Sequence, residues 1–110
     1  MTRVKVCGIT DADDLDEAVS AGADAIGLIV DVPVETPREI TPSDAVRFAR
    51  AAPPFVTTVL VTMPDAPESA VELASRVQPD VVQVHGDVTP GDLAYLSAKI
   101  NGDVIKAVSP

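Results

Sequence analysis

The sequence predicts an α/β chain built from parallel βαβ units, and three observations carry that prediction. Apolar runs rich in Val and Ile recur at residues 4–7, 25–30, 56–61, 81–85 and 104–108, their starts separated by about 21, 31, 25 and 23 residues. Segments with helical spacing fill the intervals, at residues 11–21, 42–51, 66–77 and 90–100. The connections are short and contain no hairpin dipeptide, so each strand reaches the next through a helix and runs parallel to it.

The elements follow in order. Val4-Lys5-Val6-Cys7 is the first strand, and Gly8-Ile9-Thr10 turns out of it. Thr10 or Asp11 can cap the first helix, where Asp13, Asp14 and Asp16 lie near the positive end of the helix dipole. Gly22 follows Ala21 as a glycine does just past a helix end. The second strand leads into a long loop containing Thr36-Pro37-Arg38. Thr41-Pro42 and Thr89-Pro90 each set a capping hydroxyl before a proline in the first helical turn. The remaining prolines fall in loops or at element ends. No linker, charge block or low-complexity stretch divides the 110 residues, which are read as one domain.

Two architectures share the order βαβαβαβαβ. One is a five-stranded doubly wound sheet of the receiver kind, which 110 residues can complete. The other is the N-terminal half of a (β/α)8 barrel, whose whole needs at least about 200 residues. Side-chain parity points to the barrel. In the first strand Lys5 and Cys7 oppose Val4 and Val6; in the fourth, Gln83 and His85 oppose Val82 and Val84; in the fifth, Lys106 opposes Ile105 and Ala107. A central strand of a doubly wound sheet is covered on both faces and should be apolar on both parities. Polar groups on one parity near the C-terminal strand ends suit a barrel interior opening at its mouth.

Charge narrows the function classes. The formal net charge is −9, which repels phosphate backbones and anionic lipid and argues against nucleic-acid and membrane partners. With 3% aromatic residues and no Trp, a stacking platform for bases is not expected either. No apolar run approaches the roughly 18 residues of a membrane span, and the N-terminus lacks the apolar core of a signal peptide. A single cysteine without such a leader suits a reducing cytoplasm, the expected location. The acid is mainly Asp (12, against 5 Glu), and Lys is scarce (3, against 5 Arg). Self-repulsion of this kind is relieved by salt, which points to a salt-adapted organism.

Four residues stand out as carriers of chemistry. Cys7 ends the first strand, where parallel α/β enzymes place reactive groups, and Gly8 admits close approach of a ligand. Most lone cysteines are inert small hydrophobes, so position is the argument here. Lys5, two residues earlier on the same face, can favour the thiolate electrostatically. His85 ends the fourth strand on the same rim, a place for ligand contact rather than for a backbone-bonded structural histidine. Arg38, otherwise a solvated loop charge, would overhang the mouth and suit a planar carboxylate through two parallel N–H bonds. There is no GxGxxG, P-loop, HExxH or metal-spaced Cys/His cluster. Asp13-Asp14 resembles a metal-binding pair but falls within a helical pattern. Met63-Pro64-Asp65 and Lys106 fit a receiver, yet the acceptor Asp that should end the preceding strand is missing.

The ordered set Lys5-Val6-Cys7-Gly8-Ile9-Thr10, Gly22-Ala23-Asp24-Ala25-Ile26-Gly27-Leu28, Thr36-Pro37-Arg38, Gln83-Val84-His85-Gly86-Asp87 and Val104-Ile105-Lys106-Ala107 resembles phosphoribosylanthranilate isomerase, the (β/α)8 enzyme of tryptophan biosynthesis. The resemblance runs over essentially the whole chain. It implies an Amadori rearrangement of N-(5-phosphoribosyl)anthranilate to the 1-(2-carboxyphenylamino)-1-deoxyribulose phosphate isomer. Cys7 matches the family's base and Arg38 the arginine near the anthranilate carboxylate. His85, and with it Lys5, is assigned to substrate contact. No cofactor and no metal are implied; the partner is the phosphorylated sugar–anthranilate substrate. The family's general acid, an aspartate beyond the fifth strand, and its glycine-rich phosphate loops have no counterpart within residues 1–110. The chain is therefore expected to be a partial barrel without its C-terminal half, inactive alone and prone to self-association or to pairing with that half. Thr36 stands where serine is commoner, and residues 31–35 form an acidic version of the preceding loop. A small receiver-like signalling or binding module is the competing reading.

Overall fold

The computed structural model describes residues 3–32, 36–86 and 88–106. Strands and helices alternate as β1 (Lys5–Cys7), α1 (Ala12–Ser20), β2 (Ala25–Ile29), α2 (Pro42–Ala51), β3 (Thr57–Thr62), α3 (Pro67–Val77), β4 (Val81–Val84), α4 (Pro90–Lys99) and β5 (Asp103–Lys106). Each expected element forms, with ends moved by one or two residues. Ala107 and Val108 of the expected fifth strand lie outside the described residues, as do Asp87 and residues 33–35 of the acidic loop.

Local chemistry explains the helix ends. Asp11, not Thr10, caps α1, its carboxylate accepting from the Asp14 amide at 2.7 Å. Thr41 accepts from the Asp44 amide at 3.1 Å. Thr89 and Asp92 form a reciprocal capping box, with bonds of 3.0 and 3.2 Å. Ala66 offers no side-chain acceptor, so α3 relies on Pro67 in its first turn.

The sheet order is β1-β2-β3-β4-β5, with every neighbouring pair parallel. A doubly wound sheet reverses its order at a switch point; this one does not. With right-handed crossovers, a monotonic order sends every helix to the same face. The receiver-like alternative fails on that topology. On the helix side Ile26, Leu28, Leu60, Val82 and Val84 are each at most 1% exposed and pack with Leu15, Phe48, Leu73 and Leu96. Full burial of such a side chain contributes about 1.5–3 kcal/mol.

The other face carries Lys5, Cys7, Ala25, Gly27, Val59, Val61, Val81, Gln83 and Ile105 by register. It is concave. Lys5 Nζ donates to Gln83 Oε1 at 2.7 Å, although β2 and β3 lie between their strands. In a flat sheet three strand spacings would separate those strands by about 14 Å. Cross-strand register carries Lys5 through Ala25 and Thr57 toward position 79, and Gln83 lies four residues further along. A tilted eight-stranded barrel advances by about one residue per strand, so a stagger of this size belongs to barrel curvature.

One parity expectation is corrected. Ile105 pairs with Gln83 and therefore lies on the concave side; Lys106 pairs with Val84 on the helix side. Exposed at the sheet edge, its ammonium donates to the Val88 carbonyl at 2.8 Å.

At the N-terminal end of the sheet a pattern repeats. Asp24, just before β2, accepts from the Val4 amide at 2.8 Å, and its own amide donates to the Val4 carbonyl at 2.8 Å. Asp80, just before β4, accepts from the Thr58 amide and hydroxyl at 2.8 and 3.1 Å. The Asp24 and Asp80 carbonyls then receive the amides of Thr57 and Asp103, tying in the next strand on the other side.

Candidate active site

The C-terminal ends of the strands gather the expected residues. Cys7 closes β1, and the amides of Gly8 and Ile9 both donate to the Gly27 carbonyl, at 3.0 and 3.2 Å. The chain thus stays against β2 just beyond the thiol. A Cβ placed on Gly27 would lie 2.7 Å from Cys7 Sγ and 3.1 Å from its Cα, so the sulfur occupies the space that a side chain on β2 would fill. Half-buried and aimed across the concave face, Cys7 has one neighbour that cannot crowd it.

Arg38 comes to the same place from a different element. Its loop folds back along the end of β2, where Ile29 bridges to Glu39 and the Ile40 amide donates to the Ile29 carbonyl at 2.8 Å. The Thr36 hydroxyl accepts from the Arg38 amide at 3.2 Å and tightens the turn. Gly8 has φ +84°, a conformation that disfavours other residues, and a Cβ there would lie 2.6 Å from Arg38 Cδ. The arginine stem therefore crosses the backbone of the residue next to Cys7. Among the described residues its guanidinium has no hydrogen-bond or ion-pair partner.

Asp14 faces the same groove. Hydrogen bonds from the Thr10 hydroxyl (2.7 Å) and then from the Thr10 amide (3.2 Å) hold its carboxyl below the ordinary aspartate range, and the Arg38 charge adds a smaller pull. The groove, about 680 Å³, is lined by residues that include Cys7, Gly8, Thr10, Asp14, Pro37 and Arg38. The Asp13-Asp14 pair thus serves the start of α1. Among the described residues no group of three or more His, Cys, Asp or Glu is placed to hold a metal ion, and no helix is long and apolar enough to cross a membrane.

Lys5 lies one inward-facing position before Cys7, with its ammonium on Gln83. Gln83 in turn places Nε2 3.0 Å from His85 Nε2. The His85 amide donates to the Thr62 carbonyl at 3.0 Å, which fixes the backbone just past β4. The stagger that brings Gln83 level with Lys5 also brings His85 level with Cys7, one layer nearer the rim. Cys7, Arg38 and His85 thus share the rim, while Lys5 lies beneath them in a polar chain. Two contributors were not singled out from sequence. Gly27 has a signal, a glycine inside an apolar strand run, which marks close approach of another group. Gln83 has only its parity.

The model of the family described as N-(5'phosphoribosyl)anthranilate (PRA) isomerase matches residues 4–110. The chain is 64% identical over all 110 residues to an N-(5'-phosphoribosyl)anthranilate isomerase of the halophile Natronomonas pharaonis, covering 53% of that protein. It is similar to the crystal structure of phosphoribosyl anthranilate isomerase from Thermotoga maritima, with a TM-score of 0.86 and 42% identity over 98% of this chain and 51% of that one. A phosphoribosyl anthranilate isomerase in complex with reduced 1-(o-carboxyphenylamino)-1-deoxyribulose 5-phosphate gives the same TM-score, 0.86, and 42% identity over 98% of this chain and 54% of that one. The chain spans about half the length of the curated relatives it matches.

Proposed function

The chain belongs to the N-(5'-phosphoribosyl)anthranilate isomerase family, and on that premise we propose that it supplies the proton-abstracting side of that isomerase's rearrangement in tryptophan biosynthesis. The observation that carries this reading is the meeting of Cys7 and Arg38 at the strand ends, with the sulfur over Gly27 and the arginine stem over Gly8. The substrate is a phosphorylated sugar joined to anthranilate, in keeping with the phosphorylated aromatic compound bound by the similar solved isomerase.

Each step asks for a particular group. An acid protonates the furanose oxygen and the ring opens to a Schiff base. A base then removes the C2 proton, and the resulting enolamine tautomerises to the ketone. Cys7 is the base, at the C-terminal end of its strand. Arg38 receives the anthranilate carboxylate with a planar pair of N–H donors and so orients C2 toward the sulfur. His85, across the concave face from Cys7, and Lys5, one inward-facing position below Cys7 on the same strand, contact the sugar portion. The acid and the phosphate grip belong to later parts of the family's barrel, so residues 1–110 form a partial barrel domain and are expected to be inactive alone.

The edges of the sheet support the same proposal. Strands β1 and β5 each pair on one side only among the described residues, and the groove beside β1 is lined by Val6 and Ala18 as well as by the polar rim. Unpaired parallel edges of this kind call for more strand, from the remaining βα units or from a second copy.

In the full-length chain carrying these residues, Cys7→Ser is expected to lower kcat by about 10²–10⁴-fold, the usual worth of a positioned general base, with an unchanged circular dichroism spectrum. Undiminished turnover would remove Cys7 from the reaction.

A further inference from the structure

We propose that Gln83 is a positioning residue that holds the imidazole of His85 in its Nδ1–H tautomer, with Lys5 fixing the orientation of Gln83. The inference rests on reading this rim as the isomerase's substrate site, and it assigns His85 a definite manner of contact there.

The argument is one of donors and acceptors. A lysine ammonium can only donate, so the Gln83 amide atom 2.7 Å from Lys5 Nζ has to be the oxygen. An amide that could otherwise be turned end for end is thereby oriented. Its NH₂ group then faces His85 Nε2 at 3.0 Å. NH₂ can only donate, so Nε2 has to offer its lone pair, and the proton of the neutral ring sits on Nδ1.

The strand makes this arrangement stiff. Gln83 and His85 are two residues apart, so their side chains leave the same face of the sheet at a spacing set by the backbone. Val82, before Gln83, and Val84, between the two, anchor the strand from the other face, at 1% and 0% exposure. Lys5 reaches Gln83 from across the concavity, so the ring orientation depends on the curvature of the whole sheet.

The consequence is chemical. Nδ1–H has no protein partner among the described residues, which leaves it free to donate a hydrogen bond to a ligand. His85 therefore suits an oxygen acceptor on the bound sugar, and its Nε2 is not available to take a proton while Gln83 is in place. Proton abstraction is left to Cys7.

The imidazole ¹⁵N resonances of the full-length chain, recorded at mildly alkaline pH without substrate and assigned by comparison with His85→Gln, test this directly. The expected result is a protonated Nδ1 and an unprotonated Nε2. Gln83→Glu puts an acceptor in place of the donor, still bonded to Lys5, and should exchange the two resonance types; Gln83→Leu should give a mixture. A wild-type spectrum with the proton on Nε2 would overturn the proposal even if both variants failed to fold. So would a tautomer unchanged in a folded Gln83→Glu protein. Because no substrate is present, these outcomes stand apart from the fate of the isomerase reading, which turnover of the unmodified protein decides.

Discussion

At the N-terminal end of the sheet, the carboxylates of Asp24 and Asp80 accept from the amides of Val4 and Thr58 and lock neighbouring strands where they begin, within one residue of the strand start. At the C-terminal end, Cys7 and Arg38 are held by their backbones and by the glycines beneath them, and their reactive atoms are left toward the groove. The two carboxylates are engaged at one end, while the Arg38 guanidinium has no partner among the described residues at the other. The difference shows how a single sheet separates stability from chemistry: side-chain carboxylates tie strands together at one end, while at the other backbone bonds hold the strand ends and leave the side chains of Cys7 and Arg38 free to act.

Crossed substitutions would break that comparison if it were wrong. Arg38→Ala removes charged hydrogen bonds to a carboxylate, worth about 1.5–3 kcal/mol, so KM in the full-length enzyme should rise roughly 10- to 100-fold. Its unfolding free energy should stay within about 0.5 kcal/mol of wild type. Asp80→Ala should do the reverse. The Thr58 amide and hydroxyl, in a residue only 5% exposed, lose their acceptor at a cost of about 1–3 kcal/mol, read from urea unfolding, with kcat/KM nearly unchanged. Activity lost in Asp80→Ala without loss of stability would erase the distinction between the two ends.

Salt acts on neither end in particular. A net charge of −9 over 110 residues predicts a higher melting temperature in molar KCl than in dilute buffer, through screening of self-repulsion. The rise should be the same in Asp80→Ala, because the clamp is a short hydrogen bond rather than a long-range charge effect. A melting temperature indifferent to KCl would count against salt adaptation, although a matched isomerase comes from a halophile.

The smallest effect is expected at Asp14. Its folded-state pKa is lowered, chiefly by the Thr10 hydroxyl and amide, so it adds stability above the unfolded-state value. That contribution is lost as pH falls through the folded-state value. Asp14→Asn should flatten this part of the acid limb below about pH 4 by lowering stability slightly at neutral pH, the two proteins converging in acid. Melting temperatures measured against pH would show it, and an unchanged acid limb would remove Asp14 from the account.

Local features were legible in the sequence because their causes are local. Thr41 and Thr89 stand before prolines and cap their helices, and Gly22 takes a φ of +87° just past α1. Cys7, Arg38 and His85 could be placed on one rim because the ends of parallel strands meet there in any barrel. What escaped depends on register between strands far apart in the chain. Lys106 reads as an inward polar group until pairing with Val84 puts it on the helix side. Asp24 and Asp80 look like ordinary surface acids until the neighbouring strand supplies an amide. Gln83 becomes informative only when curvature brings Lys5 across to it. None of these follows from a periodicity, because each is decided by how strands tilt against one another.

The monotonic strand order also bears on how the chain acquires its shape. Each strand pairs with the next one along the chain, so every pairing closes a loop of roughly 20 to 30 residues, at modest entropic cost. Such a sheet can grow from one end as the polypeptide leaves the ribosome, each βα unit docking on a template already present. The Lys5–Gln83 bond, 78 residues apart in sequence, forms only after four strands have assembled. It is a late event in that progression and a natural reporter of the moment when a growing ribbon first bends into an arc.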